Sequence, residues 1–158
     1  MNLINIQQLI DINYTTDTRV GRRTKNVRTQ EFFTPFKIIE KMCNEIPESD
    51  WKDPNKTWLE PSAGNGNLLL YIIWNRIQHG IDWKTTLETL YGVELMNDNV
   101  HECKERILDL LDKLQIEYNK EEAKKIMDKN LVCHDFFEWN FEEWRPYTEE
   151  ELKQNKKK

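Results

Sequence analysis

The chain has no closely spaced cysteine pair. Cys43, Cys103 and Cys133 are odd in number and far apart, so neither a zinc site of the CxxC type nor a disulfide framework is indicated. Free thiols suit a reducing, cytoplasmic setting. There is no apolar run long enough to span a bilayer and no signal peptide, so no membrane attachment is expected. There is no excess of positive charge either. The 28 acidic residues outnumber 23 basic ones, which removes a global electrostatic footprint for nucleic acid. No internal repeat is present, and 158 residues fit one domain.

What the chain does have is Trp58-Leu59-Glu60-Pro61-Ser62-Ala63-Gly64-Asn65-Gly66-Asn67-Leu68-Leu69-Leu70. A short apolar strand over Thr57–Leu59 runs into a turn with two glycines, and the turn opens an apolar helix over Leu68–Ile77. Strand, glycine turn and helix in that order are how α/β proteins build a nucleotide pocket. Gly64 and Gly66 carry no Cβ, so the backbone can turn sharply and approach a ligand. The helix start adds N–H groups that have no intrahelical acceptor. The third glycine of the dinucleotide fingerprint is absent, which argues against NAD. Gly-x-Gly by itself also fits an ordinary strand-to-helix turn.

The flanking chain reads as follows. Leu3, Ile6, Leu9 and Ile10 stand near helical spacing and predict a short amphipathic helix over residues 1–12. The polar stretch after it carries Arg19, Arg22, Arg23, Lys25 and Arg28, either as a solvated segment or as an arm that contacts phosphate. Thr34 is expected to cap a helix with Pro35 in its first position. Ile38, Ile39, Met42, Cys43 and Ile46 would form its apolar face, which makes Cys43 a core residue rather than a nucleophile. Pro47 is expected to end that helix, and 48–56 to be a polar connection.

The helix after the glycine turn is apolar enough to predict burial on more than one side, and Gly80 fits its end. Asp82 caps a short helical turn over Ile81–Glu88, and a second strand spans Leu90–Glu94. A helix over Asn97–Leu114 has Val100, Cys103, Ile107, Leu110, Leu111 and Leu114 on its core face, with His101 off the stripe. A shorter helix over Glu121–Asp128 and a third strand over Leu131–His134 follow. Strands alternating with helices predict an α/β fold, a small parallel sheet flanked by helices with right-handed crossovers. Residues 1–30 form a helix and basic arm, 31–139 the α/β body, and 140–158 a polar tail whose charge runs predict fraying.

The segment Glu60-Pro61-Ser62-Ala63-Gly64-Asn65-Gly66 resembles the S-adenosylmethionine loop of the amino-methyltransferases that modify adenine in DNA. Glu31-Phe32-Phe33-Thr34-Pro35 is similar to the F-x-T-P element those enzymes place before it. Leu90-Tyr91-Gly92-Val93-Glu94-Leu95 and Leu131-Val132-Cys133-His134-Asp135-Phe136-Phe137 follow in the family's order. The resemblance implies a truncated Rossmann-like methyltransferase fold with strand order third, second, first. It implies S-adenosylmethionine as cofactor.

By that resemblance, Phe33, Thr34 and Pro35 would close over the methionine end. Glu60, beside Pro61 and Ala63, would orient the cofactor's amino group, and turn amides at Gly64 and Gly66 would meet its carboxylate. Glu94 would accept from both ribose hydroxyls, Leu95 and Met96 would border the adenine, Asp135 would accept from its amino group, and Phe136 would pack on the ring. One of Phe136 and Phe137 is expected in the core. His134 has no role in the family and reads as structural. No metal is implied.

The family's catalytic tetrapeptide, Asp or Asn followed by two prolines and an aromatic, is missing. Pro35, Pro47, Pro54, Pro61 and Pro146 are nowhere adjacent, and Pro146-Tyr147 is only a remote echo. The reading is therefore an adenine-DNA-methyltransferase-like, S-adenosylmethionine-binding chain without its own catalytic motif. It would act as a subunit, with a second subunit or by self-association, and possible DNA contact rests on the basic arm. The alternatives are a catalytically silent binding or regulatory module, and an enzyme that degrades S-adenosylmethionine.

Overall fold

Three short parallel strands position everything else. The computed structural model describes Asn5, Ile6 and residues 34–156. Phe33, the basic arm with Arg19, Arg22, Arg23, Lys25 and Arg28, and the expected N-terminal helix apart from Asn5 and Ile6 lie outside those residues. Ile6 is buried in the apolar core.

The strands are β1 (Trp58–Glu60), β2 (Leu90–Glu94) and β3 (Leu131–Cys133), in the order β1-β2-β3. Trp58 stands opposite Leu90, and Gly92 opposite both Glu60 and Leu131. Parallel neighbours need long crossovers. Residues 61–89 and 95–130 supply them as helices, so the fold is mixed α/β with a three-stranded parallel sheet flanked by helices. The second strand has the bounds its apolar run predicts, whereas β1 starts one residue later than expected and β3 stops at Cys133.

Helix α1 (Phe36–Cys43) packs against α3 (Asn67–Gln78), with the short α2 (Glu48–Lys52) between them in sequence. Then come α4 (Trp83–Glu88), α5 (Asn97–Lys113) and α6 (Lys120–Asn130). Helix α3 is enclosed by α1, α2, α4 and α5 and buries Leu69, Leu70, Tyr71, Ile72 and Ile73, as its composition predicts. Each such Leu or Ile contributes about 1.5–3 kcal/mol by burial. Because the chain itself covers this helix, its apolar character is no sign of a partner. Gly92 lets the sheet meet α3 closely: a Cβ there would lie 3.1 Å from both Leu69 and Leu131.

Arg76 of α3 is fully buried beside the start of β1. It donates to the carbonyls of Asp53, at 2.8 Å, and Lys56, and to the Thr89 hydroxyl, with its guanidinium 5.7 Å from the Trp58 ring. One side chain thus ties the connection before β1 to the turn before β2.

Three expectations are corrected. Thr34 does not cap α1: Pro35 is the residue at the cap, with extended backbone (ψ 145°) and no side chain that can accept. A residue before proline is pushed to extended geometry, which keeps Thr34 out of the helix as well. Pro47 does not close α1, which stops at Cys43; it precedes α2 and brings Trp51 into the core, stacked 4.4 Å from Trp58.

Residues 140–156 are folded, in correction of the expected fraying there, while Lys157 and Lys158 lie outside the described residues. β4 (Trp139–Asn140) and β5 (Arg145–Pro146) pair antiparallel, and α7 (Glu149–Asn155) begins with a capping box between Thr148 and Glu151. Arg145 holds Glu151 through two bonds of 2.9 Å and also pairs with Glu143, which pulls the Glu151 carboxyl down to about 2. Acids in a first helical turn also meet the positive end of the helix dipole. Trp144 packs edge-on against Tyr91 of β2 and donates to the Lys129 carbonyl at 2.8 Å, so the tail aromatics gather toward β2 and β3. Among the described residues no strand pairs with the outer edge of β1, where Leu59 is 48% exposed. No described helix is long and apolar enough to cross a membrane.

Candidate functional site

The ends of the three strands define the site. After β1, Ala63 N donates to Val93 O and Gly66 N to Ala63 O, both at 2.9 Å, which folds the turn back over the end of β2. Gly64 and Gly66 take φ of 55° and 94°, the left-handed region that glycine enters without a Cβ penalty. Gly66 then caps α3, its carbonyl accepting from Leu70 N at 2.8 Å.

Glu94, at the end of β2, is buried and aimed at this turn. Its Oε2 accepts from Gly64 N at 2.7 Å, and its Oε1 accepts from Met96 N at 3.0 Å and Asn99 Nδ2 at 3.3 Å. The carboxylate that the sequence marks for a ribose therefore already staples the glycine turn to the start of α5. Glu60 accepts from Ser62 N at 2.9 Å. Burial raises its carboxyl above the ordinary range, the Ser62 bond opposes that, and the charge of Glu94 adds to it.

A cavity of about 260 Å³ opens beside the turn, lined by Thr34, Glu60, Ala63, Gly64, Asn65 and Asn67, with Ile39 and Met42 of α1 on its apolar side. It is somewhat smaller than a pocket for a whole drug-sized ligand, so it fits one end of such a molecule. Among the described residues the lining contains one carboxylate and no lysine, arginine or histidine. That wall favours a positively charged group over a phosphate.

Several predicted site residues lie outside this cavity. Gly66 faces the core, where a Cβ would come well inside 3.0 Å of Cys103 Sγ, so its bareness serves the approach of α3 and α5. Pro61 is half-buried, and Pro35 is exposed at the start of α1. Leu95 is 57% exposed, and its carbonyl accepts from Cys133 Sγ at 3.4 Å. Asp135 accepts from Phe137 N at 2.9 Å and so caps the 3-10 turn Phe136–Glu138. Neither phenylalanine is core: Phe136 is 40% and Phe137 81% exposed, in correction of the expectation that one would be buried. Phe136 rests instead on Phe141, 5.0 Å away, and His134 on Trp139 at 5.3 Å. Leu95 and Phe136 thus present exposed apolar side chains at the ends of β2 and β3, with the Asp135 carboxylate next to Phe136 in the chain. Pro146 sits in β5, with no fourth parallel strand before it among the described residues.

The thiols take no part in the cavity. Cys43 and Cys103 are buried in the core, and burial pushes them up to about 11 and about 12, with Arg106 and Lys104 opposing the rise at Cys103. No metal-binding cluster of His, Cys, Asp or Glu occurs among the described residues.

Sequence reasoning missed the polar residues behind the turn. Asn65, Asn67, Asn99 and Arg106 are all buried. Arg106 Nη1 donates to Asn65 O at 3.0 Å and to Asn67 Oδ1 at 2.7 Å. The available signal was positional: Asn99, Cys103, Arg106 and Leu110 recur at three- and four-residue steps, which puts two polar residues on the helix face that meets the core. Comparison with protein-family models, with curated proteins and with solved structures gives no match for the chain.

Proposed function

We propose that this chain binds S-adenosylmethionine, or its demethylated product, at the C-terminal ends of β1, β2 and β3, as the cofactor-binding half of a Rossmann-like adenine-DNA amino-methyltransferase. The observation that carries the reading is the 2.7 Å bond from Gly64 N to Glu94, which joins the glycine turn after β1 to the acidic end of β2. Ligands of open α/β sheets lie at such strand ends.

In this reading the ammonium group of the ligand enters the cavity beside Glu60, and turn amides face its carboxylate. Glu94 accepts from the ribose. Leu95, Met96 and Phe136 border the adenine, and Asp135 accepts from its amino group. Among the described residues β1 lies at one edge of the sheet, which supports the half-enzyme part of the proposal, because such an edge is a place for another strand. A second chain or a second copy would then bring the loop that holds the flipped base, since positioning supplies much of such a rate.

Calorimetric titration of the pure protein with S-adenosylmethionine and with its demethylated product tests the binding. A labelled-methyl assay on duplex and single-stranded DNA tests the division of labour. Binding without transfer is the expected result. Transfer by the pure chain, abolished in Asp135→Ala, would place the catalytic residues here, and breakdown of the cofactor would favour a degrading enzyme. No heat of binding at millimolar ligand would end the proposal.

A further inference from the structure

The polar residues behind the cavity connect three distant segments in a directed chain. Arg106, 7% exposed in the middle of α5, donates to the Asn65 carbonyl in the glycine turn and to Asn67 Oδ1. Asn67 is the first residue of α3 and is itself buried; its Nδ2 donates to the Thr34 carbonyl at 3.0 Å. The order of these bonds leaves the amide one orientation. A guanidinium only donates and a backbone carbonyl only accepts, so the Asn67 oxygen must face Arg106 and its nitrogen must face Thr34. Burying a guanidinium is costly unless its donors are met, and an aliphatic side chain at this core-facing position would avoid that cost. The arrangement therefore calls for a reason beyond packing.

Thr34 and Asn67 both line the cavity, Thr34 just before α1 and Asn67 at the head of α3. The bond between them sets the distance between the two walls. We propose that Arg106 and Asn67 are positioning residues for the cofactor site: Arg106 fixes the glycine turn and orients Asn67, and Asn67 draws the Thr34 segment against the turn so that both walls of the cavity are held as one unit. This rests on the S-adenosylmethionine reading for the identity of the ligand, but the brace is a property of the fold.

Asn67→Asp separates the two halves of the brace. An aspartate keeps an acceptor for Arg106 and loses the donor to Thr34. Affinity for S-adenosylmethionine should fall about tenfold as the two walls lose their fixed spacing, while the thermal midpoint falls only modestly, since one bond of the unliganded fold is lost. Amide exchange at Ile38 and Ile39, whose N–H groups bond Pro35 O at 3.0 and 3.1 Å, should accelerate even without ligand. Arg106→Lys keeps the charge without the planar fork and should show a smaller loss of affinity in the same direction.

A lowered midpoint with unchanged affinity and unchanged exchange at Ile38 and Ile39 would make the pair merely structural and overturn the proposal. So would an Asn67→Asp protein that matches the wild type in all three measurements. If wild-type protein does not bind the ligand at all, while Asn67→Asp still loosens the first turn of α1, the ligand reading fails and the brace stands.

Discussion

Gly66→Ala is the substitution that the structure opposes most directly. Two independent costs meet at this position. The backbone is left-handed, with φ of 94°, and an alanine there is strained by about 1–2 kcal/mol. The new methyl would also come well inside 3.0 Å of Cys103 Sγ and to 3.2 Å of Cys103 Cβ. Cys103 is buried on α5 and belongs to the core, so it has little room to give way. Overpacking of this kind costs about 1–3 kcal/mol more. The expected loss is therefore about 2–5 kcal/mol, a large part of a typical domain's 5–15 kcal/mol.

Urea unfolding followed by tryptophan fluorescence reads it, and Cys103→Ala separates the two costs. With the sulfur gone, the nearest atom is Cβ, and only the backbone strain and a tight contact remain. The double variant should recover about 1–3 kcal/mol relative to the sum of the singles, the size of coupling found between residues in contact. Strict additivity of the two substitutions, or a Gly66→Ala protein within about 0.5 kcal/mol of wild type, would refute the close approach of α3 to α5 as drawn here.

Glu94→Ala should act on stability and binding together: it removes the acceptor of Gly64 N for about 1–3 kcal/mol of stability, and weakens S-adenosylmethionine by about 1.5–3 kcal/mol, both measurable on one protein by denaturation and calorimetry. In the native protein one thiol, Cys133, should react quickly with a colorimetric thiol reagent, while Cys43 and Cys103 react only after unfolding, because they are buried with pKa near 11 and 12; three fast thiols would contradict the packing. Burial raises the Glu60 carboxyl in the fold, so the folded state binds its proton more tightly than the unfolded chain does. Stability should consequently decline as pH rises from the ordinary carboxylate value through the raised one. Glu60→Gln should remove that component of the slope, and an unchanged pH profile would count against it.

The parts of the fold that could be read from sequence are those where an apolar pattern repeats. Leu90–Glu94 is a short apolar run that ends in an acid, which gives both the strand and the place of Glu94 at its tip. The stripe of α5 gives its buried face through Val100, Cys103, Ile107 and Leu110. What could not be read depends on bonds between distant residues. Glu94 and Gly64 are thirty residues apart, and Arg106 and Asn65 forty-one. Polarity alone assigns Asn67 and Arg106 to water; their bonds to each other and to the Asn65 and Thr34 carbonyls offset the cost of burial. The tail misled for the same reason. Among its described residues Arg145 pairs with Glu143 and Glu151, and no composition rule distinguishes paired from solvated charge.

Glu94 also faces a conflict that the proposed ligand would have to resolve. A carboxylate offers about four lone-pair sites, and three donors already use Glu94. Two ribose hydroxyls need two sites, so one existing bond must be exchanged. Met96 N and Asn99 Nδ2 come from the start of α5, two and five residues after Glu94 in the same stretch of chain. Gly64 N comes from the opposite loop and is the bond a hydroxyl can replace. Its release is compensated if the freed N–H then faces the ligand's carboxylate, so that one exchange serves both ends of the site. The Gly64 amide should accordingly show one of the largest backbone ¹H–¹⁵N shifts at saturation with S-adenosylmethionine, larger than that of Met96. In Glu94→Gln, where the acceptor is weaker, the shift should shrink along with affinity. A saturated complex in which Gly64 does not move would mean that the ligand takes only the fourth site, and that Glu94 serves as a fixed staple of the turn and not as the ribose clamp.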